Sequence, residues 1–470
     1  MRVLILIALA VVGLQLALGF SVSSRPSNDN SGKNKFIILG GTGRIGTAVA
    51  SHLLLRSPTK SQIILVGRDE EKGTRAVSEV LDEHPHLSNN NVVSFRKCDW
   101  RNDTELRSVM GSGSTCIIHT AGPFLDERPT PLRAAIDMGC KAYIDVSDPL
   151  DFLELSLEMD SDAKDSGTSA LLAAGAFPGM SNVLAVEAAS HCEGEIKDTR
   201  FNYFTAGLGG SGDINLYITN LGFGEPMAQY ENGKLRLFEA LSGLLLGKVS
   251  FFLSDEEWSN KKSPAGFGNN EARERVGKQT VFAWPFPEAA TCPAELGACG
   301  ESSAAMGTAP DIWNDMLGLL VDLIPRQLWR SKRFSQFLAD FSQPLVKGTD
   351  YLLKLTSSDN VGETHAMRVD VTCTYGRAVS IVQAHESFRR CVGQSCAEFA
   401  LDLLQHPSPG VKLPEQRYRT DTARTRIIRQ LTSTPGTFTY TGPVAVTKAS
   451  PPSGLGNALA KADEAEKQRR

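Results

Sequence analysis

The sequence lacks the features that mark nucleic-acid binders, zinc proteins and disulfide-rich scaffolds. Its net charge is −4 and no long basic run occurs in its 470 residues, so nothing in it attracts a polyanion and no nucleic-acid partner is expected. The nine cysteines include no CxxC pair, and no histidines have metal-ligand spacing, so no metal site is expected. Internal repeats are absent. The composition, with 41% hydrophobic residues, is that of an ordinary globular protein long enough for two domains.

Two pairs of cysteines lie close together in the sequence, Cys292 with Cys299 and Cys391 with Cys396. Either pair could form a structural or redox-labile disulfide. Cysteine is also among the most buried residue types, and we favour buried free thiols for all four.

The first 19 residues have the pattern of a secretory signal peptide. Arg2 precedes the apolar stretch 3–18, and Ala17-Leu18-Gly19 offers small residues to a signal peptidase. The stretch is short for a membrane anchor. Residues 20–33 begin with phenylalanine and are rich in serine, which resembles the bipartite leader of plastid proteins in algae with secondary plastids. We therefore expect a plastid location, with secretion or residence in the endomembrane lumen as the alternative.

The most informative motif is the glycine loop Gly40-Gly41-Thr42-Gly43-Arg44-Ile45-Gly46. It follows the apolar run 36–39 and opens the helix-patterned stretch 45–55, which is the strand, loop and helix context of a dinucleotide site. Its glycines permit a tight turn, close approach of the backbone to a pyrophosphate, and close packing of helix on strand. The pyrophosphate would meet free N–H groups at the helix N-terminus.

Further apolar runs follow the glycine loop, separated by helical or polar spacers. They occupy residues 63–66, 92–95, 116–119, 142–146 and 170–173. The alternation predicts an α/β fold with a Rossmann-type doubly wound parallel sheet over residues 34–182. Proline and glycine in the segment 175–182 indicate the domain junction.

Beyond the junction, residues 183–431 predict an α+β substrate or dimerisation domain with an antiparallel sheet, after which the chain returns to the Rossmann domain. Residues 200–205 indicate a strand, and residues 368–375 and 378–385 indicate a hairpin. Hydrophobic helices are predicted over 238–253 and 312–329. Residues 432–470 are rich in Ser, Thr, Pro, Gly and charge, which predicts a disordered tail.

The run 241–247 is strongly hydrophobic. We favour a buried core helix or a helix at a homodimer interface for it. Peripheral contact with a membrane, or with a greasy substrate, is the alternative.

The end of the second predicted strand favours NADP(H) over NAD. NAD enzymes commonly place an acid there for the ribose 2′-hydroxyl, whereas an arginine accommodates the 2′-phosphate. Here the strand ends in Gly67-Arg68 with no acid at its tip, and Arg44 could add a second positive contact. Asp69 keeps NAD open, but we expect it to cap the next helix, because a carboxylate beside a phosphate would repel it.

Cofactor candidates also follow the third and fourth strands. Asp99 could meet the adenine amino group or cap a helix. Thr120-Ala121-Gly122-Pro123 puts small residues beside the expected ribose and nicotinamide. The histidine inside the fourth strand, His119, is expected to be a core residue.

Substrate candidates lie at the carboxyl ends of strands and in a second glycine loop. Asp145 and Ser147 face the crevice in principle and could bind substrate or cap the next element. Phe124 is a further substrate candidate. Gly209 and Gly210, in the loop 207–212, could hold a substrate carboxylate or the nicotinamide amide, or form a sharp turn. No catalytic acid or base is identified.

A pair with the spacing of catalytic Tyr-x-x-x-Lys occurs at Tyr230 and Lys234. That chemistry needs both side chains on one helical face, but the intervening Asn232-Gly233 indicates a turn. We therefore reject the pair as catalytic.

Taken together, four motifs resemble the saccharopine dehydrogenase-like family. They are Gly-Gly-x-Gly-x-x-Gly at residues 40–46, Ala-Gly-Pro-Phe at 121–124, Tyr-x-Asp at 143–145 and Gly-x-x-Pro-Gly-x-Ser-Asn at 175–182. The resemblance is clear over residues 35–185 and loose to about residue 420. It implies a Rossmann domain with an α+β substrate domain, and an NADP(H)-dependent oxidoreductase that moves a hydride to or from a small organic substrate in the crevice between them.

Known members of this family act on secondary amines derived from amino acids. The segments 283–288 and 310–316 have no counterpart in amino-acid recognition, which leaves the substrate of this chain open. An aromatic pocket around Trp284 and Trp313 without acids would favour a hydrophobic substrate, whereas clustered arginines would favour an amino acid. A non-catalytic NADP-binding scaffold or redox-sensing protein is the alternative function.

Overall fold

The computed structural model describes residues 34–447, apart from 57–60, 88–91, 112–114, 207–212, 239–242, 260–265, 310–313, 315–317, 322 and 357–362. Among the residues it describes, no helix combines the length and the hydrophobicity needed to span a bilayer. The described chain is built on two large β-sheets and a separate two-stranded ribbon.

The first part of the chain alternates strands and helices. The strands of a parallel sheet are covered on both faces, so they appear in sequence as continuous apolar runs, and every residue of the fourth strand is buried. In chain order the elements are β1 (Lys35–Leu39), α1 (Arg44–Arg56), β2 (Gln62–Gly67), α2 (Glu70–Glu83), β3 (Val92–Lys97), α3 (Asp103–Met110), β4 (Cys116–His119), α4 (Thr130–Asp137), β5 (Ala142–Asp145), α5 (Leu150–Leu157), α6 (Asp160–Ser166), β6 (Ser169–Leu171) and α7 (Met180–Ser190).

The second part begins with a long strand and supplies all the described strands of the second sheet. Its elements are β7 (Ile196–Ala206), α8 (Asp213–Gly222), β8 (Met227–Glu231), β9 (Lys234–Phe238), β10 (Leu245–Ser250), α9 (Asp255–Ser259), α10 (Asn269–Arg275), β11 (Lys278–Ala283), α11 (Glu288–Leu296), β12 (Ser302–Ala309), α12 (Arg326–Trp329), α13 (Lys332–Thr356), β13 (His365–Cys373), β14 (Ala378–His385), α14 (Phe388–Gln405), β15 (Gly410–Lys412), α15 (Pro414–Arg417), α16 (Asp421–Thr432), β16 (Thr437–Tyr440) and β17 (Val444–Val446).

The first sheet is parallel, with the strand order β15-β6-β5-β4-β1-β2-β3. From β3 to β6 this is the doubly wound order 3-2-1-4-5-6, which confirms the predicted Rossmann-type sheet. The strand β15 pairs with β6. The chain therefore returns to the first sheet after β14 and then adds β16 and β17 to the second sheet.

The second sheet has the order β10-β11-β12-β7-β13-β14-β16, with β17 pairing on β14. Most of its pairs are antiparallel, but β12 and β7 run parallel. The predicted α+β second part is thus confirmed, with a mixed sheet. Its predicted hairpin is present as β13 and β14, which join in antiparallel register around Gly376 in the left-handed region.

Two sequence predictions in this part are wrong. The predicted helix over 238–253 contains the strand β10, because Gly243 and Gly247 adopt positive φ angles that interrupt a helix. The predicted disordered tail begins too early, because β16 and β17 pair with β14 and bury Phe438 and Val444. The predicted helix over 312–329 lies partly outside the described residues, and α12 covers its end.

The structure contains a disulfide that the sequence spacing did not suggest. Cys192, just after α7, is bonded to Cys373 of β13 across 181 residues of sequence. The four cysteines of the predicted pairs are free, in line with the favoured interpretation, and only Cys299 among them is exposed.

Helix α14 connects the second sheet to the first by packing on α1. The buried carboxylate of Glu398 accepts hydrogen bonds from His52 Nε2 at 2.8 Å and from Arg56 Nε at 2.7 Å. A Cβ at Gly393 would lie 2.6 Å from the Cβ of Ala48. The lack of a side chain at Gly393 therefore allows α14 and α1 to approach closely. The contact places the first turns of α14 beside the glycine loop.

Candidate active site

A cavity of about 440 Å³ lies at the carboxyl ends of the first-sheet strands and extends to the second sheet. Doubly wound proteins bind their ligands at this edge of the sheet. The first part of the chain contributes Gly40, Thr42, Gly43, Arg44, Ile45, Gly46, Val66, Gly67, Arg68, Cys98, Trp100, Arg101, Thr120, Ala121, Gly122, Pro123, Phe124, Val146, Asp148, Gly175, Phe177 and Pro178. The second part contributes Thr219, Trp284, Phe286, Met306, Phe388 and Val392.

The glycine loop has the shape of a phosphate cradle. A Cβ at Gly46 would lie 2.4 Å from the carbonyl oxygen of Gly40, so helix and loop could not approach as they do with any larger residue. At Gly43 an added Cβ would meet only the Gly40 carbonyl oxygen, at 3.2 Å, which leaves its other side open. Gly41, predicted to bind the cofactor, lies outside the lining, because it packs against Leu65 of β2.

Helix α1 begins at the floor of this cradle. Its first residues, Arg44, Ile45 and Gly46, line the cavity, and its first turn carries no acidic residue. The N–H groups of a first helical turn have no partners within the helix, and they favour an anion. The loop and the helix together fit the pyrophosphate of a dinucleotide.

The residues after β2 fit a 2′-phosphate. Arg68 is exposed and lines the cavity. Asp69 is the N-cap of α2, as predicted, and its carboxylate accepts a hydrogen bond from the backbone N–H of Lys72 at 3.0 Å. This hydrogen bond lowers the pKa of Asp69.

The residues after β3 differ from the prediction. Asp99 lies outside the cavity lining, because its carboxylate accepts a hydrogen bond from the backbone N–H of Arg101 and its own N–H donates to Glu105. Trp100 and Arg101 line the cavity instead, with the Arg101 guanidinium carbon 4.3 Å from the centre of the Trp100 ring. Arg101 is a cation of the lining, in addition to Arg44 and Arg68, that sequence reasoning missed, although it follows the third strand closely.

The loop after β4 lines the cavity from Thr120 to Phe124, as predicted. Phe124 is only 3% exposed, and its ring packs edge-on against His119 and Phe152, so its main contact is with the core. His119 is buried, and burial lowers its pKa to about 3, as suits a neutral core histidine.

Asp145 and Ser147 do not line the cavity. The Asp145 carboxylate accepts hydrogen bonds from Ser147 Oγ at 2.6 Å, Ser147 N–H at 3.2 Å and Ala173 N–H at 2.9 Å. Both side chains are buried, so the prediction that they bind substrate is replaced by a structural role that joins β5 to the segment after β6.

Asp148, three residues beyond the predicted Asp145, does line the cavity. Desolvation raises the pKa of its carboxyl to about 7. Sequence reasoning missed it, although its position just past the fifth strand was a usable signal. The loop with Gly209 and Gly210, and Trp313, lie outside the described residues.

The rejected Tyr230 and Lys234 pair lies in the hairpin of β8 and β9. Asn232 and Gly233 between the strands both have positive φ angles, so the turn indicated by the sequence is observed. Across the hairpin Tyr230 pairs with Leu235 and Lys234 pairs with Glu231, so the two residues share no helical face, and neither lines the cavity.

Aromatic side chains form the far end of the cavity. The Phe177 ring stacks on Tyr203, with centroids 4.1 Å apart, and on Phe388, with centroids 4.9 Å apart. Phe286 meets the Phe177 ring edge-on at 5.3 Å. Trp284 meets Phe223 in the same way at 5.1 Å. These ring contacts pack the wall against the residues around it.

A buried polar network lies behind this wall and ties the two parts of the chain together. The Tyr203 hydroxyl donates a hydrogen bond to Glu288, and Ser181 Oγ lies 3.4 Å from the same carboxylate. The Asn182 amide donates to Glu415 at 2.8 Å. The Ser-Asn of the motif at 175–182 therefore contacts acids from two distant helices. Burial raises the pKa of Glu288 to about 7.

Residues 36–171 match the family model of the saccharopine dehydrogenase NADP binding domain. This confirms the resemblance for the matched residues, which run from β1 through β6. The cofactor of this domain is NADP(H), for which the glycine loop, the N-terminus of α1 and Arg68 provide the fitting donors. When NADP(H) is bound, the loop and the helix N-terminus would hold its pyrophosphate, and Arg68 would hold its 2′-phosphate.

Several solved dehydrogenase structures are similar to parts of the chain. A short-chain type dehydrogenase/reductase from Mycobacterium ulcerans is 17% identical over 24% of this chain and 50% of its own, with a TM-score of 0.19. A betaketoacyl-ACP reductase from Bacteroides thetaiotaomicron is 15% identical over 30% of this chain and 74% of its own, with a TM-score of 0.24. A short-chain dehydrogenase from Sphingobium yanoikuyae in complex with NADPH is 16% identical over 30% and 70%, with a TM-score of 0.22.

The chain spans about half the length of the first of these structures. No curated protein matches the chain.

Proposed function

We propose that the chain is a saccharopine dehydrogenase-like NADP(H)-dependent oxidoreductase, which transfers a hydride to or from a small organic substrate while Asp148 exchanges the accompanying proton. The observation that carries the proposal is that an ionisable side chain, Asp148, lines the same cavity as the glycine loop and the aromatic wall. In doubly wound folds the nicotinamide half of the cofactor lies toward the strands β4 and β5, and Asp148 follows β5.

In this proposal Asp148 acts as a general acid in one direction and as a general base in the other. Its pKa of about 7 makes both the carboxyl and the carboxylate accessible near neutral pH, which suits proton transfer in either direction. NADP(H), when bound, supplies or accepts the hydride. In the reducing direction the substrate heteroatom gains an electron pair and takes the Asp148 proton, and solvent then returns a proton to the carboxylate. Oxidation reverses these steps.

The remaining residues bind, orient and exclude water. Arg68 and the glycine loop would hold the phosphates of the cofactor, and Asp148 lines the same cavity. Phe177, Trp284 and Phe286 close the other side with apolar surface, which keeps water from the reacting atoms and confines the substrate.

The test is to measure NADPH oxidation by the full chain with a panel of aldehydes, ketones and imines, before and after the substitution Asp148→Asn. We expect Asp148→Asn to lower kcat by roughly 10²- to 10⁴-fold, the range for loss of a general acid, without changing the Kd for NADPH. Asp151→Asn is the matched control, since Asp151 is exposed on α5 and outside the cavity lining. Tight NADPH binding without turnover of any panel member would instead indicate a non-catalytic binding protein.

A further inference from the structure

The far end of the cavity contains little charge. The described residues that form it share an apolar surface and are Phe177, Pro178, Trp284, Phe286, Met306, Phe388 and Val392. Asp148 supplies an acid beside them. Among the lining residues that the structure describes, the cations are arginines on the cofactor side, in the glycine loop and after β2 and β3. The ring of His365 packs against Phe177 and Phe388 but is outside the lining, and burial lowers the pKa of His365 to about 3, so it brings no positive charge to the wall.

We propose that the substrate is an uncharged, apolar aldehyde or ketone, or the matching alcohol in the reverse direction, and not an amino acid. This inference rests on the proposed function and narrows its substrate. A substrate carboxylate would lose its hydration on entering this end, would meet no cation among the described residues that line it, and would share the cavity with the acid Asp148. An aliphatic or aromatic body gains from burial against the same wall.

NADPH and Asp148 together supply the hydride and the proton that the reduction of such a substrate needs. The carbonyl carbon gains a C–H bond from the hydride of NADPH, and the π electron pair of C=O moves to the oxygen. The oxygen then takes the proton of the Asp148 carboxyl. The products are the alcohol and NADP⁺, and the Asp148 carboxylate regains a proton from water.

The residues of the wall are held by packing contacts within the protein itself. Phe177 is stacked between Tyr203 and Phe388. Trp284 lies so close to Gly222 that a Cβ there would be 2.6 Å from the Trp284 ring. Such a wall favours ligands with an apolar surface, because none of the described residues that form it carries a charge.

The experiment compares three probes of one chain length on the NADP⁺-loaded full chain: decanamide, decanoate and decylamine. Binding is read from intrinsic tryptophan fluorescence and from the shift in Tm, and neither readout requires turnover. We expect decanamide to bind about tenfold or more tighter than either charged probe. Met306→Arg places a cation in the wall and should shift the preference toward decanoate, whereas Met306→Leu should keep the wild-type order.

Two outcomes would overturn the substrate class: decanoate or decylamine binding as tightly as decanamide to the wild-type chain, or none of the three binding. Neither result decides whether the protein is an oxidoreductase, which the NADPH oxidation assay with Asp148→Asn tests independently. Conversely, decanamide binding together with no NADPH turnover by the carbonyl panel would count against the oxidoreductase and leave the apolar character of the cavity supported.

Discussion

The Oδ1 atom of Asp69 accepts a hydrogen bond from the backbone N–H of Lys72 at 3.0 Å, and this contact separates the roles of two adjacent residues. Asp69 caps α2, so the carboxylate that could have bound a ribose hydroxyl is held by the helix. Arg68, one residue earlier, lines the cavity. Arg68 is therefore the group at the end of β2 that would meet the 2′-phosphate of a bound NADP(H).

Replacing Arg68 with alanine should weaken the binding of NADPH and leave the binding of NADH nearly unchanged. A hydrogen bond to a charged group is worth about 1.5–3 kcal/mol, so the Kd for NADPH should rise roughly 10- to 100-fold. Fluorescence titration with both cofactors measures this difference. Arg75→Ala is the control, since Arg75 is exposed on α2 and outside the cavity. An equal loss for both cofactors would show that Arg68 does not contact the 2′-phosphate.

Local patterns predicted most of the residues that line the cofactor half of the cavity. The glycine loop, the strand before it and the helix after it are adjacent in sequence, so their geometry follows from residue types within a short window. The choice between Asp145 and Asp148 could not be made in this way. Asp145 ends β5 and is engaged by Ala173 N–H from another segment, and only the folded chain shows that contact.

The substrate half of the site depends on residues far apart in sequence. Thr219, Met306 and Phe388 reach one cavity from three different elements, and no periodicity indicates which elements will meet. The strands β16 and β17 were missed for a related reason. Their short runs of Thr, Phe, Tyr and Val form strands because they pair with β14. The strand β14 is distant in sequence, so a local sequence window does not include it.

The stability of the protein should depend on the protonation of Glu288. This side chain is fully buried, and burial raises the pKa of its carboxyl from 4.5 to about 7. The folded state then binds more protons than the unfolded chain between these values. The contribution is fully present below about pH 4.5 and is lost as the pH rises through about 7.

We therefore expect the free energy of unfolding to decrease between pH 5 and pH 8 more steeply in the wild type than in Glu288→Gln. The difference in slope should be at most about 1.4 kcal/mol per pH unit, the limit for one titrating group. Urea denaturation at a series of pH values measures it. Glu79→Gln, at an exposed position on α2, should keep the wild-type slope. Parallel curves for the wild type and Glu288→Gln would rule out this origin of pH dependence.

The bond between Cys192 and Cys373 should contribute strongly to stability, because it closes a loop of 181 residues. The double substitution Cys192→Ser and Cys373→Ser should lower the free energy of unfolding by about 2–5 kcal/mol, since the unfolded chain regains the entropy that the crosslink removed. Guanidinium denaturation with and without dithiothreitol measures this.

Reductant should bring the wild type to the stability of the double variant and leave the variant itself unchanged. Cys299→Ser, which removes an exposed free thiol, should have little effect under either condition. A thiol titration of the denatured, unreduced wild type gives an independent check. If all nine cysteines of the chain react in that titration, the crosslink is not formed in solution, and the stability difference must then vanish as well.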